Sequence, residues 1–135
     1  MNTILIVDDS PTIRKMVKAS LGELPGAAFT EAASGLQAIE TLAVTPVHLV
    51  VLDLNMPDMH GLDVLRFVRS HDHYKDVPVM VLTTRGDKVS RDTALQAGAS
   101  AYMTKPFSPS ALVSSVTELL ALARAHGAPN SSNKA

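Results

Sequence analysis

The sequence predicts an α/β domain in which helices cover both faces of a five-stranded parallel sheet. Short apolar runs without polar alternation, such as ILIV at residues 4–7 and LVVL at 49–52, are typical of central strands buried on both faces. Segments with apolar residues at helical spacing lie between these runs. Strand and helix patterns alternate five times along the 135 residues, which favours a doubly wound (βα)5 arrangement with right-handed crossovers.

The five predicted strands differ in the strength of their pattern. Continuous apolar runs predict the first, third and fourth strands at residues 4–7, 49–52 and 79–82. Residues 29–33 carry a weaker pattern that predicts an edge strand, and residues 100–104 are also weak. The three strong runs are therefore expected in the middle of the sheet.

A helix is predicted after each strand. Ser10 is a good N-cap, and Pro11 follows at the first helical position, where its missing N–H is harmless. This helix is expected to stop near residues 22–25, and Ser34 is the predicted cap of the second helix. The remaining helices are predicted over residues 61–70, 87–97 and 108–125.

Composition limits the possible partners and compartments. The chain has a net charge of −1, 46% hydrophobic residues and no cysteine, which excludes a disulfide framework and a thiolate metal site. No basic run is present, so direct contact with nucleic acid is not expected. No signal-peptide pattern or apolar run of membrane-spanning length occurs, so we expect a cytoplasmic protein without membrane insertion. Residues 127–135 predict a disordered C-terminal tail after a single domain of residues 1–126.

Polar side chains follow four of the five predicted strands. Asp8 and Asp9 follow the first strand, and Asp53 follows the third. Thr83 comes at the end of the fourth strand, and Lys105 comes after the fifth. The carboxyl ends of parallel strands lie at one edge of the sheet, where ligands of open α/β sheets bind. We therefore expect these side chains to converge on one crevice.

This set of side chains is suited to phosphoryl chemistry. Three close carboxylates repel one another and favour a bound cation or proton. Hard oxygen ligands of this kind suit Mg²⁺. An aspartate carboxylate at such a site can act as a nucleophile and form an acyl phosphate. A metal ion and the Lys105 ammonium group would neutralise charge on the transferring phosphoryl group, and the Thr83 hydroxyl could donate a hydrogen bond to it.

Four short motifs at the ends of the expected strands together match a known family. In chain order they are VDDS, DLNMPDMHG, LTT and GASAYMTKPF. The chain resembles the receiver domain of two-component response regulators, and its layout is closest to the stand-alone chemotaxis regulators of that family. The match covers residues 2 to about 125, and each motif is weak alone but specific in combination. The resemblance implies a flavodoxin-like strand order, 2-1-3-4-5.

The resemblance also implies a metal site and a phosphorylation site. Asp53 matches the family's phosphoacceptor, and a histidine kinase would be the phosphodonor. Asp9 matches the direct Mg²⁺ ligand, and Asp8 matches the partner that acts largely through water. Asn55 matches the residue whose backbone carbonyl completes the metal site, with the Asp53 carboxylate as a further ligand.

Further residues match the part of the family that senses phosphorylation. Thr83 matches the switch hydroxyl, and Lys105 the lysine that pairs with the phosphoryl group. Tyr102 matches the aromatic switch residue that turns inward when the threonine moves. The Lys105–Pro106 bond is a candidate cis peptide. Thr84 departs from the alanine or glycine found in many members, and with Arg85 it could narrow access to Asp53.

The implied output is a change of surface, with no classical enzyme activity beyond self-catalysed phosphotransfer and autodephosphorylation. The surface would be formed by the fourth helix, the fifth strand and the fifth helix. Its expected members are Lys88, Val89, Arg91, Tyr102 and Ser110. The implied downstream partner is another protein, for which a flagellar motor switch protein is the best candidate. A phosphorelay intermediate, or a receiver fragment of a longer regulator, is the alternative within the class.

Other readings of the same residues are less favoured. Asp8 and Asp9 could simply begin a helix, where carboxylates are favourable, and Lys105 could be a solvated surface charge. A flavin-binding protein of the same fold would need phosphate-cradling backbone donors after the first strand, where this chain has two aspartates. An aspartyl phosphatase usually has its nucleophile after the first strand, whereas Asp53 follows the third.

Overall fold

Five parallel strands form the central sheet of the computed structural model, which describes residues 2–131 and the side chains of residues 2–125. The strands are β1 (Asn2–Val7), β2 (Ala27–Ala32), β3 (Leu49–Leu52), β4 (Val79–Thr83) and β5 (Ala101–Thr104). They lie in the order β2-β1-β3-β4-β5, and each neighbouring pair is parallel. The predicted doubly wound sheet and its flavodoxin-like strand order are therefore confirmed.

A helix follows each strand. The helices are α1 (Pro11–Leu21), α2 (Gly35–Val44), α3 (Gly61–Ser70), α4 (Lys88–Gln96) and α5 (Pro109–Ser131). None of these described helices is long and apolar enough to cross a membrane. The α5 helix continues past its predicted end at Ala125. The side chains of residues 126–131 and all of residues 132–135 lie outside the described part, so the division into a domain and a tail at residue 127 stays a prediction.

Side chains of β1 point alternately to the two faces of the sheet. Ile4 and Ile6 pack in one apolar cluster with Val17 of α1 and Leu112 of α5. Leu5, between them in sequence, belongs to a second cluster with residues of α2 and α3. Because helices cover both faces, every central position must be apolar. This is the physical reason for the unbroken apolar runs in the sequence.

The two weakly predicted strands lie at the edges of the sheet. β2 and β5 consist largely of half-buried residues, whereas every residue of β3 and β4 is buried. An edge strand has one neighbouring strand and needs fewer apolar side chains, which weakens its pattern. The predicted edge position of the second strand is confirmed, although β2 begins at Ala27, two residues before the predicted start.

The first two helices begin at the capping residues that were predicted. The Ser10 Oγ accepts a hydrogen bond from the Ile13 N–H at 3.2 Å, and Pro11 is the first residue of α1. The Ser34 Oγ accepts one from the Gln37 N–H, also at 3.2 Å. Each helix starts directly after a strand, so its N-terminus lies at the carboxyl edge of the sheet, next to the candidate site.

Candidate functional site

Polar side chains interrupt the apolar interior at the carboxyl edge of the sheet. Among the described residues, the buried polar side chains are Asp8, Asp53 and Thr83, which are 3%, 5% and 0% exposed. Asp8 follows β1, Asp53 follows β3 and Thr83 is the last residue of β4; these are the three central strands. Asp9 is exposed beside them. Carboxylate oxygens of Asp8, Asp9 and Asp53 all lie within 4.8 Å of one another.

Lys105 enters this cluster from the loop after β5. Its Nζ lies 2.6 Å from Asp8 Oδ2 and 3.5 Å from Asp53 Oδ2. The Lys105 backbone N–H donates to the Thr83 carbonyl at 2.8 Å, and the Lys105–Pro106 peptide is cis, as predicted. The structure therefore brings together the strand-end residues that the sequence scatters. In this state the ammonium group pairs more closely with Asp8 than with Asp53.

Opposing effects act on the pKa of the Asp53 carboxylate. Burial raises the pKa of Asp53 above its ordinary value, while the positive charge of Lys105 lowers it and the negative charge of Asp8 raises it. The Asn55 N–H donates to Asp53 Oδ1 at 3.3 Å, which favours the ionised form. The net direction is upward, so the carboxylate is under-compensated. A cation bound beside it would relieve this imbalance.

The donor set fits a hard divalent cation. Carboxylate oxygens from Asp8, Asp9 and Asp53 are the ligands that Mg²⁺ prefers, and Mg²⁺ retains several waters beyond one or two carboxylates. The exposure of Asp9 leaves room for such waters on the solvent side. The role of the Asn55 carbonyl as a further ligand stays a prediction.

Arg14 is a neighbour of the cluster that the motif analysis missed. Its Nη1 donates to the backbone carbonyl of Asp8 at 2.6 Å, and its Nε donates to Glu31 Oε1 at 2.7 Å. The sequence of α1 did contain a signal for this contact, because Arg14 lies on the same face of the helix as the buried residues Val17 and Leu21. A cation on such a stripe needs a partner near the sheet.

Two contacts that the sequence did not reveal fix the loop between β3 and α3, one within the loop and one where the loop joins α3. Both carboxylate oxygens of Asp58 accept backbone N–H bonds, from Gly35 and Leu36 of α2, each at 3.1 Å. Where the loop joins α3, Gly61 packs against the backbone of Asp53. A Cβ on Gly61 would lie 2.3 Å from the Asp53 carbonyl oxygen, so only glycine fits there.

The residues expected to sense phosphorylation form a connected chain on the β4 side. The Arg85 N–H donates to the Thr83 Oγ1 at 3.4 Å, and the Tyr102 hydroxyl donates to the Arg85 carbonyl at 2.5 Å. The Tyr102 ring is half-buried and packs against a small apolar cluster that includes Val81. Burial, followed by the negative charge of Asp87, raises the pKa of the Tyr102 hydroxyl above its ordinary value. Thr84 and Arg85 are themselves exposed.

Fold and site together define a class of protein. It is a doubly wound α/β domain whose carboxyl edge holds an acidic pocket, with a buried aspartate and a lysine at its centre. The family model described as the response regulator receiver domain matches residues 4–117, and the chain belongs to this family. It is a CheY-like receiver, and receiver domains bind Mg²⁺ at an acidic pocket of this kind.

Similar proteins differ in how much of their own length this chain spans. The chain is 41% identical to the chemotaxis protein CheY1 of Helicobacter pylori over 110 residues, covering 81% of this chain and 89% of that protein. It is 37% identical to the transcriptional regulatory protein SrrA of Staphylococcus aureus, covering 88% of this chain but 48% of that protein. The structure of the chemotaxis response regulator CheY4 of Vibrio cholerae superposes with a TM-score of 0.81 at 31% identity, covering 88% of this chain and 98% of that one.

Proposed function

We propose that this receiver accepts a phosphoryl group on Asp53 from a histidine kinase and signals by changing the surface of α4, β5 and α5. One observation carries the proposal: the Asp53 carboxylate is 5% exposed at the end of a central strand, with Lys105 Nζ 3.5 Å away and two more carboxylates beside it. A purely structural carboxylate would be expected to have its charge fully compensated. CheY-like receivers take phosphoryl groups from histidine kinases.

The transfer step is a displacement at phosphorus. A carboxylate oxygen of Asp53 forms a bond to the phosphorus atom of a phosphohistidine, the P–N bond breaks, and the electron pair leaves with the imidazole. Lys105 lies where its ammonium group can pair with an oxygen of the arriving phosphoryl group. Autodephosphorylation is the attack of water on the same phosphorus atom, which releases inorganic phosphate and restores the Asp53 carboxylate.

The chemistry supplied by Mg²⁺, when bound, is neutralisation of the charge on the phosphoryl oxygens. Asp8, Asp9, Asp53 and the Asn55 carbonyl are the groups that would hold it. Asp8 has a second task, because its Oδ2 pairs with Lys105 at 2.6 Å and keeps the ammonium group in the pocket. Its Oδ1 accepts the Ser10 N–H at 2.9 Å, which fixes the orientation of the Asp8 carboxylate.

The signal would leave the site through the β4 side. A phosphoryl group on Asp53 adds about −1.5 to −2 charges and three acceptor oxygens, and it would attract the Thr83 hydroxyl. Because Arg85 bonds to both Thr83 and Tyr102, this movement changes the loop on which the tyrosine rests. The proposed output surface includes Lys88, Val89, Arg91, Tyr102 and Ser110; Val89 is 74% exposed, and the Arg91 guanidinium lies 5.9 Å from the Tyr102 ring centroid.

The proposed target is a protein encountered in trans, with a flagellar motor switch protein as the first candidate. The likeness to CheY1, of which the match covers 89%, supports a chemotaxis-type single-domain regulator. The alternative is a phosphorelay intermediate or the receiver part of a longer regulator, which the likeness to SrrA supports, since the match covers 48% of that protein. A cytoplasmic location stays a prediction.

The proposal is tested by incubating the purified chain with acetyl phosphate and Mg²⁺ and recording its intact mass. We expect a gain of one phosphoryl group that is lost in Asp53→Asn and after chelation. Asp72→Asn, in an exposed loop, is the matched control and should retain the gain. A small donor suffices because the receiver itself supplies the catalytic groups.

Absence of the mass gain would lead to a second measurement with beryllofluoride, a stable mimic of the phosphoryl group. Binding of the mimic would show that Asp53 is competent but rapidly dephosphorylated or closed to small donors by Thr84 and Arg85. If the mimic also failed to bind, the proposed phosphorylation of Asp53 would be wrong.

A further inference from the structure

We propose that Arg14 is a positioning residue for the acidic pocket: by holding the peptide between Asp8 and Asp9, it sets the affinity of the pocket for a divalent cation. The proposal rests on the proposed function, since it assumes that the pocket binds Mg²⁺. It goes further in assigning a role to a side chain that contributes no ligand atom of its own.

The Arg14 guanidinium is held in one orientation by two short hydrogen bonds. Nη1 donates to the carbonyl oxygen of Asp8 at 2.6 Å, and Nε donates to Glu31 Oε1 at 2.7 Å. The side chain is 15% exposed. The planar fork of a guanidinium can make both bonds at once, which a single ammonium group cannot do with the same geometry. Arg14 therefore ties α1, the edge strand β2 and the end of β1 together.

The bonded carbonyl belongs to the peptide that leads directly into Asp9. Within residues 2–125, the carboxylate of Asp9 makes no hydrogen bond or ion pair to the protein. The direction of that carboxylate is therefore determined by its own backbone. The Asp8 N–H on the upstream side is held by the Ala32 carbonyl at 3.1 Å, and the Asp8 carbonyl is held by Arg14. Without the guanidinium, the peptide preceding Asp9 would lose its side-chain anchor.

A neighbouring lysine, Lys18, makes it possible to distinguish this positioning role from a purely structural one. Lys18 Nζ lies 2.7 Å from Glu31 Oε2, so Glu31 receives two cations from α1. Hydrogen bonds from Lys18 and Arg14 hold the pKa of Glu31 below its ordinary value. Both cations thus attach α1 to β2, but of the two only Arg14 also bonds to Asp8. Lys18→Gln is therefore a matched control for the loss of an ion pair to Glu31.

The experiment compares the 135-residue chain with its Arg14→Gln, Arg14→Lys and Lys18→Gln variants. The Mg²⁺ dissociation constant is measured from backbone amide shifts in an NMR titration, and the free energy of unfolding is measured in urea without Mg²⁺. Groups that orient metal ligands typically contribute 10- to 100-fold to metal affinity. We expect Arg14→Gln to weaken Mg²⁺ binding by about tenfold.

The two other variants sharpen the result. Lys18→Gln should lower stability in urea while leaving Mg²⁺ affinity unchanged. Arg14→Lys keeps the charge but cannot reach both oxygens, so we expect its Mg²⁺ affinity to fall between those of the wild type and Arg14→Gln. This variant also serves as the test if Arg14→Gln fails to fold.

Unchanged Mg²⁺ affinity in both Arg14 variants, beside normal binding by the wild type, would overturn this proposal and leave the proposed function intact. Equal weakening by Lys18→Gln and Arg14→Gln would also overturn it, because the effect would then come from the attachment of α1 to β2. If the wild type shows no saturable response to Mg²⁺, both this proposal and the proposed metal site are wrong.

Discussion

The two sides of the acidic pocket are held in place very differently. On the acidic side, which comprises Asp8, Asp9, Asp53 and Lys105, short hydrogen bonds and ion pairs fix the strand ends; the Lys105–Asp8 pair and the Arg14–Asp8 bond are both 2.6 Å long. On the other side, the β4–α4 loop (residues 84–87) is exposed, and Arg85 holds it by a 3.4 Å bond to Thr83 and a 2.5 Å bond from the Tyr102 hydroxyl, with no buried ion pair among the described residues.

Under the proposed function, this difference separates the side that would bind the cation from the side that would report phosphorylation. Buried, short and charged contacts keep ligand atoms in place because breaking them exposes unpaired groups to an apolar interior. An exposed loop with few contacts opens at a much lower free energy than the core. The proposed function, in which a pocket binds a cation in one position and signals by moving a segment, would need both kinds of construction next to each other.

The largest expected loss of stability comes from a substitution at Gly61, which packs against the backbone of Asp53 on the acidic side. In Gly61→Ala the new Cβ would lie 2.3 Å from the Asp53 carbonyl oxygen and 2.6 Å from the Leu54 Cα, both rigid backbone atoms. The start of α3 or the end of β3 must therefore move. We expect the free energy of unfolding, measured in urea by circular dichroism, to fall by about 3 kcal/mol.

Gly86→Ala on the β4–α4 loop is the matched control. The nearest atom to its Cβ would be Thr104 Cγ2 at 3.4 Å, an ordinary contact. We expect a change within about 0.5 kcal/mol. Similar losses in the two variants would show that the two sides are equally rigid and would contradict the comparison.

A smaller effect is expected from releasing the loop at Tyr102. Tyr102→Phe removes the hydroxyl that donates to the Arg85 carbonyl at 2.5 Å but keeps the ring in its apolar cluster. The free energy of unfolding should fall by about 1 kcal/mol, and amide hydrogen exchange should accelerate in residues 84–87.

Tyr74→Phe is the control for this prediction, because among the described residues the Tyr74 hydroxyl makes no hydrogen bond. Exchange at Asp8 and Asp53 should stay slow in both variants. Acceleration throughout the pocket in Tyr102→Phe would mean that the two sides open together.

The smallest effect concerns pH and the cap that Asp58 forms on α2. Hydrogen bonds from the Leu36 and Gly35 N–H groups hold the pKa of Asp58 below its ordinary value. A lowered pKa in the folded state means that the unfolded chain binds more protons in acid. The contribution of Asp58 is therefore present above its ordinary pKa of 3.8 and is lost as the pH falls through the lower, folded-state value.

Asp58→Asn should accordingly be less stable than the wild type near neutral pH, with a difference that shrinks in acid. Urea midpoints at about pH 6 and about pH 3 measure this. Asp87→Asn, at the cap of α4 where the Ser90 N–H lowers the pKa of Asp87, tests the same effect on the loop side. A difference for Asp58→Asn that is the same at both pH values would refute the explanation.

Much of the site followed from where residues stand relative to the strands. Asp8, Asp53, Thr83 and Lys105 come at strand ends, and parallel strands bring such ends to one edge whatever the intervening sequence. Their convergence was therefore predictable. Arg14 and Asp58 were missed because each bonds to backbone groups of a different element, Arg14 to the end of β1 and Asp58 to the start of α2, and residue identity does not specify such backbone partners.

The sequence by itself determined the order of elements, the central strands, the two serine caps and the acidic edge of the sheet. These depend on apolar periodicity, local capping and strand direction, all of which are properties of neighbouring residues. The tertiary structure alone decided that Lys105 pairs with Asp8, that Gly61 touches Asp53 and that Arg85 links Thr83 to Tyr102. Those contacts require separate elements to be spaced to within a few tenths of an ångström, and only the packing of the sheet and helices sets that spacing.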